Sequence, residues 1–216
     1  VSESPSFRDG VGRGKETMMV YATAALIRRV CQIVYKAQHR PCTSALVFFH
    51  RFFARQSLTK HDRCSVALAC VFLAGKVEEC PMRAKTVAEA AMGLMERLNA
   101  KELALQGERV SKLASLITRY ERIVLHTVEF DLCVEHGHKH LVRQVKALSG
   151  TKILAGIAFN LLSDSYSTKL CLMYTPEILS MACVYLAAHF VNANEAKRPG
   201  RPVFDTTTPA WRALMA

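Results

Sequence analysis

Residues 66–79 read V-A-L-A-C-V-F-L-A-G-K-V-E-E, and this stretch decides the fold. It carries no polar side chain before Lys76, and a helix without a polar face is normally buried in the middle of a bundle. We therefore predict a helix over residues 63–79, surrounded by other helices and closed by Pro81. Lys76 must reach the surface, pair with a carboxylate or meet a partner, because an isolated charge is costly to bury.

Helical periodicity continues on both sides of this stretch. Apolar residues recur at steps of three and four, the period of an amphipathic helix, over residues 16–40, 43–56, 84–98 and 110–128. Arg40-Pro41 should end the first of these helices, because a residue before proline avoids the α region. Thr43 or Ser44 can cap the second helix. Residues 99–108 are only weakly patterned.

A second helical set begins after residue 137. Residues 182–187 read A-C-V-Y-L-A and repeat the A-C-V-F-L-A of residues 69–74. The repeat predicts two related helical bundles, each with a wholly buried central helix. No segment shows a sustained period of two, so we predict an all-α fold. The polar residues 192–209 indicate a loop, and a last helix from Pro209 is cut by the end of the chain.

The composition is that of a globular domain in a reducing compartment. The 216 residues are 50% hydrophobic and 22% charged, and no uncharged apolar run approaches the ~20 residues that span a bilayer. The eight cysteines form no C-x-x-C pair and mostly lie among apolar residues, as buried free thiols do. The net charge of +11 favours acidic partners and nucleic acid, or is simply a solvated basic surface.

The sequence lacks the enzyme motifs that we sought. The glycines of residues 10–14 lack a preceding strand and the G-K-[ST] ending of a phosphate loop. Residues 50–52 and 130–132 read H-R-F and F-D-L, where a protein kinase has H-R-D and D-F-G, so the chain is not itself a kinase. We predict no catalytic residue and no cofactor.

Four potential zinc ligands fall within eight residues, namely Cys133, His136, His138 and His140. The three histidines stand at alternating positions entering a helix, where side chains point in different directions. A polar helix start is therefore favoured over a metal site, and we predict no metal.

Several stretches strongly resemble the first cyclin box. Residues 48–53 read F-F-H-R-F-F, and residues 69–79 read A-C-V-F-L-A-G-K-V-E-E. Residues 120–125, Y-E-R-I-V-L, and residues 130–132, F-D-L, look like the fifth helix and the exit of that box. The V-E-H-G-H-K of residues 134–139 resembles the V-E-H-P-[HY] joint of transcription-type cyclins. By this resemblance the chain is identified as a member of the cyclin family, in the group of cyclins K, L and T.

The resemblance implies a tandem cyclin-box fold, with two five-helix bundles of which the second is truncated. It divides the chain into an N-terminal arm (1–14), a first cyclin box (15–133) and an incomplete second cyclin box (134–216). The arm is polar and contains glycines, so we expect it to be extended. Residues 21–27 read Y-A-T-A-A-L-I where cell-cycle cyclins carry the M-R-A-I-L substrate-docking motif, so docking of that kind should be absent.

The function implied by the resemblance is regulatory and not enzymatic. A cyclin binds a cyclin-dependent kinase as a heterodimer and switches it on by holding the kinase C-helix inward. The K, L and T group implies a nuclear protein that acts in transcription, through phosphorylation of the RNA polymerase II tail, or in RNA processing. It implies no membrane association.

The resemblance also implies a set of kinase-binding residues. Lys76 and Glu121 would hydrogen-bond to the kinase backbone beside the C-helix, and Glu79 would add a contact at the rim. The apolar groove for that helix would be lined by Leu73, Val77, Leu125, Phe130 and Leu132. The helical spacing agrees, because Lys76 lies three residues after Leu73 and therefore on the same face. An apolar groove with charged ends is typical of helix-in-groove recognition.

Two other functions stay open on the sequence. The core of general transcription factor IIB has the same two-bundle fold and holds DNA, and a charge of +11 would suit that role. DNA binding requires clustered lysine and arginine, but only Arg28-Arg29 and Lys197-Arg198 are adjacent here, and no basic run is interleaved with aromatic residues. The other alternative is a cyclin-fold scaffold without a kinase, and the presence of Lys76 and Glu121 argues against it.

Overall fold

The computed structural model describes residues 3–36 and 38–195. Within these ranges the chain is helical and contains no strand, which confirms the predicted all-α class. The helices are α1 (Pro5–Arg8), α2 (Arg13–Tyr35), α3 (Arg40–Arg55), α4 (Arg63–Val77), α5 (Ala84–Met95), α6 (Ala100–Leu105), α7 (Gly107–Thr127), α8 (Gly137–Ala147), α9 (Lys152–Ser165), α10 (Leu170–Met173) and α11 (Pro176–Glu195). The chain divides into two compact units, residues 1–134 and a second unit that begins at Glu135.

Helix α4 is the centre of the first unit. Helices α2, α3, α5 and α7 all pack against it, and every residue from Ser65 to Gly75 is buried. Asp62 caps its N-terminus, where the carboxylate accepts hydrogen bonds from the Ser65 amide (2.8 Å) and the Ser65 hydroxyl (2.6 Å). The prediction of a central helix surrounded by others is confirmed for this unit, and it places Lys76 just past the buried segment.

Helix α2 is shorter than predicted. It ends at Tyr35 and is followed by Lys36 in the left-handed region, with φ of 53°. Arg40-Pro41 opens α3 and does not close α2. Proline fits the first turn of a helix because an N–H at that position would have no helical partner. The two predicted caps, Thr43 and Ser44, consequently lie inside α3.

By length and composition alone, helix α2 could cross a membrane. The sequence analysis did not predict this, because it considered only runs without a charged residue. In the folded unit its apolar residues include Val20, Ala24, Ile27 and Val30, and all four are buried. Helix α2 packs against α3, α4 and α5 and is part of the core of the first unit.

The N-terminal segment is folded onto the first unit. Pro5–Arg8 form a helical turn capped by the Ser4 hydroxyl, which accepts a hydrogen bond from the Phe7 amide at 3.2 Å. Ser6 is buried, and its hydroxyl accepts a hydrogen bond from the Leu58 amide at 3.0 Å. The expectation of an extended arm is wrong at these positions, because serine hydroxyls satisfy backbone donors locally and favour a turn.

The weakly patterned residues 99–108 contain the short helix α6. Asn99 caps it by accepting hydrogen bonds from the amides of Lys101 and Glu102, each at 3.0 Å. The Glu102 carboxylate accepts in return from the Asn99 amide at 2.8 Å, which completes a capping box.

Helix α11 is the central helix of the second unit, but it is not wholly buried. It packs against α8 and α9, while Ile178, Leu186 and Phe190 are 51%, 56% and 58% exposed. The prediction of a wholly buried helix is wrong here because, within the described residues, neighbouring helices cover only one face of α11. The predicted loop to Pro209 and the helix beyond it lie outside those residues.

Candidate docking surface at the ends of α4 and α7

Lys76 both reaches the surface and pairs with a carboxylate, which are two of the three outcomes that the sequence predicted for it. Its Nζ lies 2.7 Å from Oε1 of Glu121 on α7 and 4.3 Å from the centre of the Phe72 ring. The lysine side chain is 46% exposed and the Glu121 side chain 9%, so the accessible end of this ion pair is the ammonium group. The charge-assisted hydrogen bond and the ring contact together hold that group at the surface.

The two glutamates that follow Lys76 have different surroundings. Glu78 accepts a hydrogen bond from the Ser44 hydroxyl (2.6 Å) and pairs with Arg40 Nε (3.3 Å). Both partners lie near the start of α3, where the helix dipole favours a negative charge. Glu79 is exposed. Of the two carboxylates, Glu79 is therefore the more accessible one, and Glu78 joins α4 to α3.

Both helices that carry the predicted site end in the same kind of turn. In each turn a backbone amide donates back to a carbonyl of the last helical turn. The Cys80 amide donates to the Gly75 carbonyl at 2.8 Å, and the Phe130 amide donates to the Leu125 carbonyl at 3.0 Å. This bond is typical of the Schellman motif, whose left-handed residue is usually glycine. Here it is Glu79 and Glu129, each with φ of 57°. A side chain in that region costs about 1–2 kcal/mol, and such strain clusters at functional sites.

Two arginines of α3 fix the exit from α7. Arg51 donates to the carbonyls of Asp131 (2.7 Å) and Cys133 (3.1 Å). Arg55 donates to the Thr127 carbonyl at 2.8 Å, which is one of the free carbonyls at the C-terminus of the helix. The sequence analysis missed this role. The available signal was the spacing of four between two arginines on an otherwise apolar helix, which places both on one face.

The apolar residues predicted for the groove differ in exposure. Phe130 is 61% exposed, and Val77, Leu125 and Leu132 are half-buried. Leu73 is 3% exposed and belongs to the core of the first unit. A groove role for Leu73 stays a prediction. Lys76, on the same face of α4, reaches the surface through its long side chain.

We call the remaining predicted residues the α4–α7 surface. It consists of Lys76, Val77, Glu79, Glu121, Leu125, Phe130 and Leu132. The structure joins Lys76 and Glu121 directly and places Leu125 one turn after Glu121 on α7. Phe130 and Leu132 lie in the exit that the arginines of α3 hold.

The histidines considered as metal ligands have other partners. His138 is buried between the rings of Phe159 and Tyr166, with centroid distances of 4.5 and 6.1 Å. His140 Nε2 lies 2.7 Å from Oε1 of Glu135. In residues 3–36 and 38–195 no group of three His, Cys, Asp or Glu side chains is arranged to hold a metal ion.

The family model of the cyclin N-terminal domain matches residues 15–133. The chain belongs to the cyclin family. This cyclin is 35% identical over 191 residues to Cyclin-T1-5 of Arabidopsis thaliana, covering 87% of this chain and 33% of the relative. It is 34% identical over 188 residues to Cyclin-T of Drosophila melanogaster, covering 87% of this chain and 16% of the relative. The resemblance to the cyclin K, L and T group is confirmed and narrowed to cyclin T, and the chain spans about a third of the Arabidopsis relative.

Solved structures agree on the fold. The yeast RNA Pol II CTD kinase CTDK-1 complex contains a chain that superposes with a TM-score of 0.70 at 14% identity, covering 94% of this cyclin and 66% of that chain. The CAK complex of Chaetomium thermophilum, bound to ATP-gamma-S, gives a TM-score of 0.63 at 17% identity, covering 93% and 62%. At these identities the likeness concerns the fold alone, and it confirms the predicted cyclin-box architecture.

Proposed function

We propose that this chain is the regulatory part of a nuclear cyclin that binds and activates a cyclin-dependent kinase in transcription, and that it has no catalytic activity of its own. The observation that carries the proposal is the ion pair between Lys76 and Glu121, which joins α4 to α7 and holds the lysine ammonium at the surface. The similarity to cyclins T supports the transcriptional role. Phosphorylation of the RNA polymerase II tail is the proposed output.

The α4–α7 surface is suited to hold the kinase C-helix. Phe130 and the half-buried Leu125 offer apolar area to a helix laid across them, and Lys76 and Glu79 supply charges that set its register. The kinase C-helix carries the glutamate that must pair with the ATP-site lysine. A cyclin that binds the inward position of that helix more tightly than the outward position shifts the kinase toward its active state.

The ion pair allows a test that separates binding from folding. Lys76→Glu and Glu121→Lys each place like charges together, whereas the double variant exchanges the two charges and restores the pair within the cyclin. We expect both single variants and the double variant to fail in activating the kinase. Loss of a charged hydrogen bond at an interface costs about 2–5 kcal/mol, or at least about 30-fold in affinity.

Lys112→Glu is the matched control. Lys112 also forms a 2.7 Å pair on α7, with Glu108, but both side chains are at least 75% exposed and the pair lies outside the α4–α7 surface. The kinase is recovered from nuclear extract with tagged wild-type chain, identified by mass spectrometry, and assayed with each variant, while thermal unfolding reports on the fold. Full activation by the double variant would assign the pair a purely structural role. Equal recovery of nucleic acid by all variants, with no kinase, would overturn the proposal.

The net charge of +11 adds a secondary expectation. An excess of basic residues attracts acidic segments or nucleic acid, so the substrate complex should weaken as salt is raised even when the kinase stays bound. The Lys112→Glu variant would lower this attraction slightly without changing kinase activation.

A further inference from the structure

Residues 4–11, which we call the N-terminal strap, contact the segment that follows α3 through side-chain hydrogen bonds. The Leu58 amide donates to the hydroxyl of Ser6 at 3.0 Å, and the Thr59 hydroxyl donates to Oδ2 of Asp9 at 3.3 Å. The strap contains the single helical turn α1. Because so short a helix is marginal in water on its own, the position of the strap depends on the contacts that it makes with the first unit.

Ser4 connects the strap to a buried carboxylate of α2. Its hydroxyl donates to Oε2 of Glu16 at 2.6 Å, and Glu16 is 5% exposed. The same hydroxyl oxygen accepts from the Phe7 amide and caps α1. A buried carboxylate depends on the hydrogen bonds that it accepts, because water is not available to stabilise its charge. The Ser4 hydroxyl is therefore a donor that the contact between the strap and α2 requires.

Ser4 stands in a sequence context that protein kinases recognise. It is half-buried and is followed by Pro5. Proline-directed protein kinases phosphorylate a serine or threonine that precedes a proline, a residue that fixes φ and lacks a backbone N–H. Ser6, two residues later, meets neither condition, because it is fully buried and precedes Phe7. Of the two serines in the strap, Ser4 is the one suited to modification.

We propose that Ser4 is a phosphorylation site for a proline-directed kinase, and that its phosphate releases the N-terminal strap from α2. In the transfer the Ser4 oxygen attacks the γ-phosphorus of ATP, and the bond from that phosphorus to the β,γ-bridging oxygen breaks. ADP leaves, and the hydroxyl proton passes to the catalytic base of the kinase. The Ser4 oxygen then has no proton to donate, and a charge of about −1.5 to −2 lies beside the Glu16 carboxylate. Like-charge repulsion at a partly buried site disrupts the contact.

Mass spectrometry tests the modification. The chain is incubated with a purified proline-directed kinase and Mg-ATP and digested with trypsin. The peptide of residues 1–8 is then fragmented, because it contains Ser2, Ser4 and Ser6. We expect one phosphate, on Ser4, and an unmodified peptide from the Ser4→Ala variant. Phosphate on Ser2 or Ser6 instead of Ser4, or an unmodified wild-type peptide, would overturn the proposed site.

Hydrogen exchange of the Leu58 amide, followed by NMR, tests the release, because this amide donates to the strap. We expect phosphorylation to speed its exchange about 10- to 100-fold, the change in equilibrium that corresponds to losing a hydrogen bond to a charged group. The Ser65 amide, which donates to the Asp62 carboxylate in the same unit, is the control and should keep its rate. Unchanged exchange at Leu58, or slower exchange because the phosphate pairs with Arg13, would show that the strap is not released.

Two substitutions at Ser4 isolate the effect of charge. Asparagine and aspartate are both good caps for α1, but the asparagine amide can still donate to Glu16, whereas aspartate adds a negative charge. We expect fast exchange at Leu58 in Ser4→Asp and slow exchange in Ser4→Asn, and no difference between the two in a Glu16→Gln background. Thr17→Glu is the matched control, because Thr17 is adjacent to Glu16 but exposed, and it should leave the exchange unchanged. Equal exchange in Ser4→Asn and Ser4→Asp would refute repulsion by Glu16 as the cause.

Discussion

Replacing Gly75 by alanine should destabilise the first unit, because Tyr35 occupies the space that a side chain would need. A Cβ on Gly75 would lie 2.2 Å from the Tyr35 hydroxyl oxygen, 2.9 Å from its Cζ and 3.1 Å from the carbonyl of Cys80. Tyr35 is buried and its hydroxyl is hydrogen-bonded to the Val71 carbonyl at 2.9 Å. The ring cannot move away without breaking that bond and disturbing the packing of α2 on α4.

The expected magnitude follows from three contributions. Adding a methyl group to a filled site costs about 1–3 kcal/mol, and losing the tyrosine hydrogen bond costs about 1 kcal/mol. The better helix propensity of alanine offsets about 1 kcal/mol. The net loss in unfolding free energy is therefore about 1–3 kcal/mol, which for a unit of this size lowers the thermal midpoint by about 4–12 °C.

A double-mutant cycle in urea checks the cause. Tyr35→Phe removes the atom nearest to the new methyl group, so Gly75→Ala should cost less in the Tyr35→Phe background, with a coupling of about 1 kcal/mol. Gly14→Ala is the control, because Gly14 lies in the first turn of α2 with no atom within 4 Å of a Cβ, and this change should be neutral or stabilising. Additive effects of the two substitutions, or equal stability of Gly75→Ala and wild type, would refute the steric explanation.

Three further changes test the site and its supports. Glu129→Gly removes a side chain from the left-handed region and should raise the unfolding free energy by about 1 kcal/mol in urea, whereas unchanged stability would contradict the strain at this turn. In Arg51→Lys the lysine cannot donate to two carbonyls at once, so kinase activation should fall while the helix content measured by circular dichroism stays constant. Full activation would show that the surface does not depend on the two hydrogen bonds from Arg51 to the α7 exit. Asp62→Asn tests the cap of α4. Burial raises the pKa of Asp62, but the hydrogen bonds from Ser65 and the Cys64 amide, together with the charge of Arg63, outweigh it, so the net pKa is lowered from 3.8. A lowered carboxyl pKa stabilises the fold above the unfolded value, and that contribution is lost as the pH falls through the folded value. The asparagine variant should therefore lose less stability than wild type as the pH falls below 3.8, and parallel acid profiles would contradict this role.

The central helix could be predicted because its sequence permits one environment. A run without a polar face must be covered on all sides, and residues 65–75 are buried as expected. The two options for Lys76, surface exposure and pairing with a carboxylate, also followed from the cost of burying a charge. The resemblance gave Glu121 only as a second kinase-binding residue. Its pairing with Lys76 was not predicted, because the two residues are 45 positions apart along the chain.

Other features depended on tertiary structure and could not be predicted. The end of α2 was misplaced because Pro41 is compatible both with closing one helix and with opening the next. Helix α11 has an apolar sequence much like that of α4, yet Leu186 is 56% exposed, because burial depends on which neighbours surround a helix. The resemblance singled out Glu79 over the adjacent Glu78, but a physical reason to separate the two carboxylates came only from the structure, which places Glu78 against α3.

Side chains of helix α3 hold the segments that carry the α4–α7 surface at two places. At one end, Ser44 and Arg40 hold Glu78 and thereby the turn that ends α4. At the other end, Arg51 and Arg55 hold the carbonyls of the α7 exit. The surface is therefore fixed before a partner arrives, and a fixed surface binds with less loss of conformational entropy than a mobile one. Under the proposed function, residues of α3 that lie outside the α4–α7 surface should therefore influence kinase affinity, and the F-F-H-R-F-F stretch should do so through Arg51, which holds the exit that carries Phe130 and Leu132.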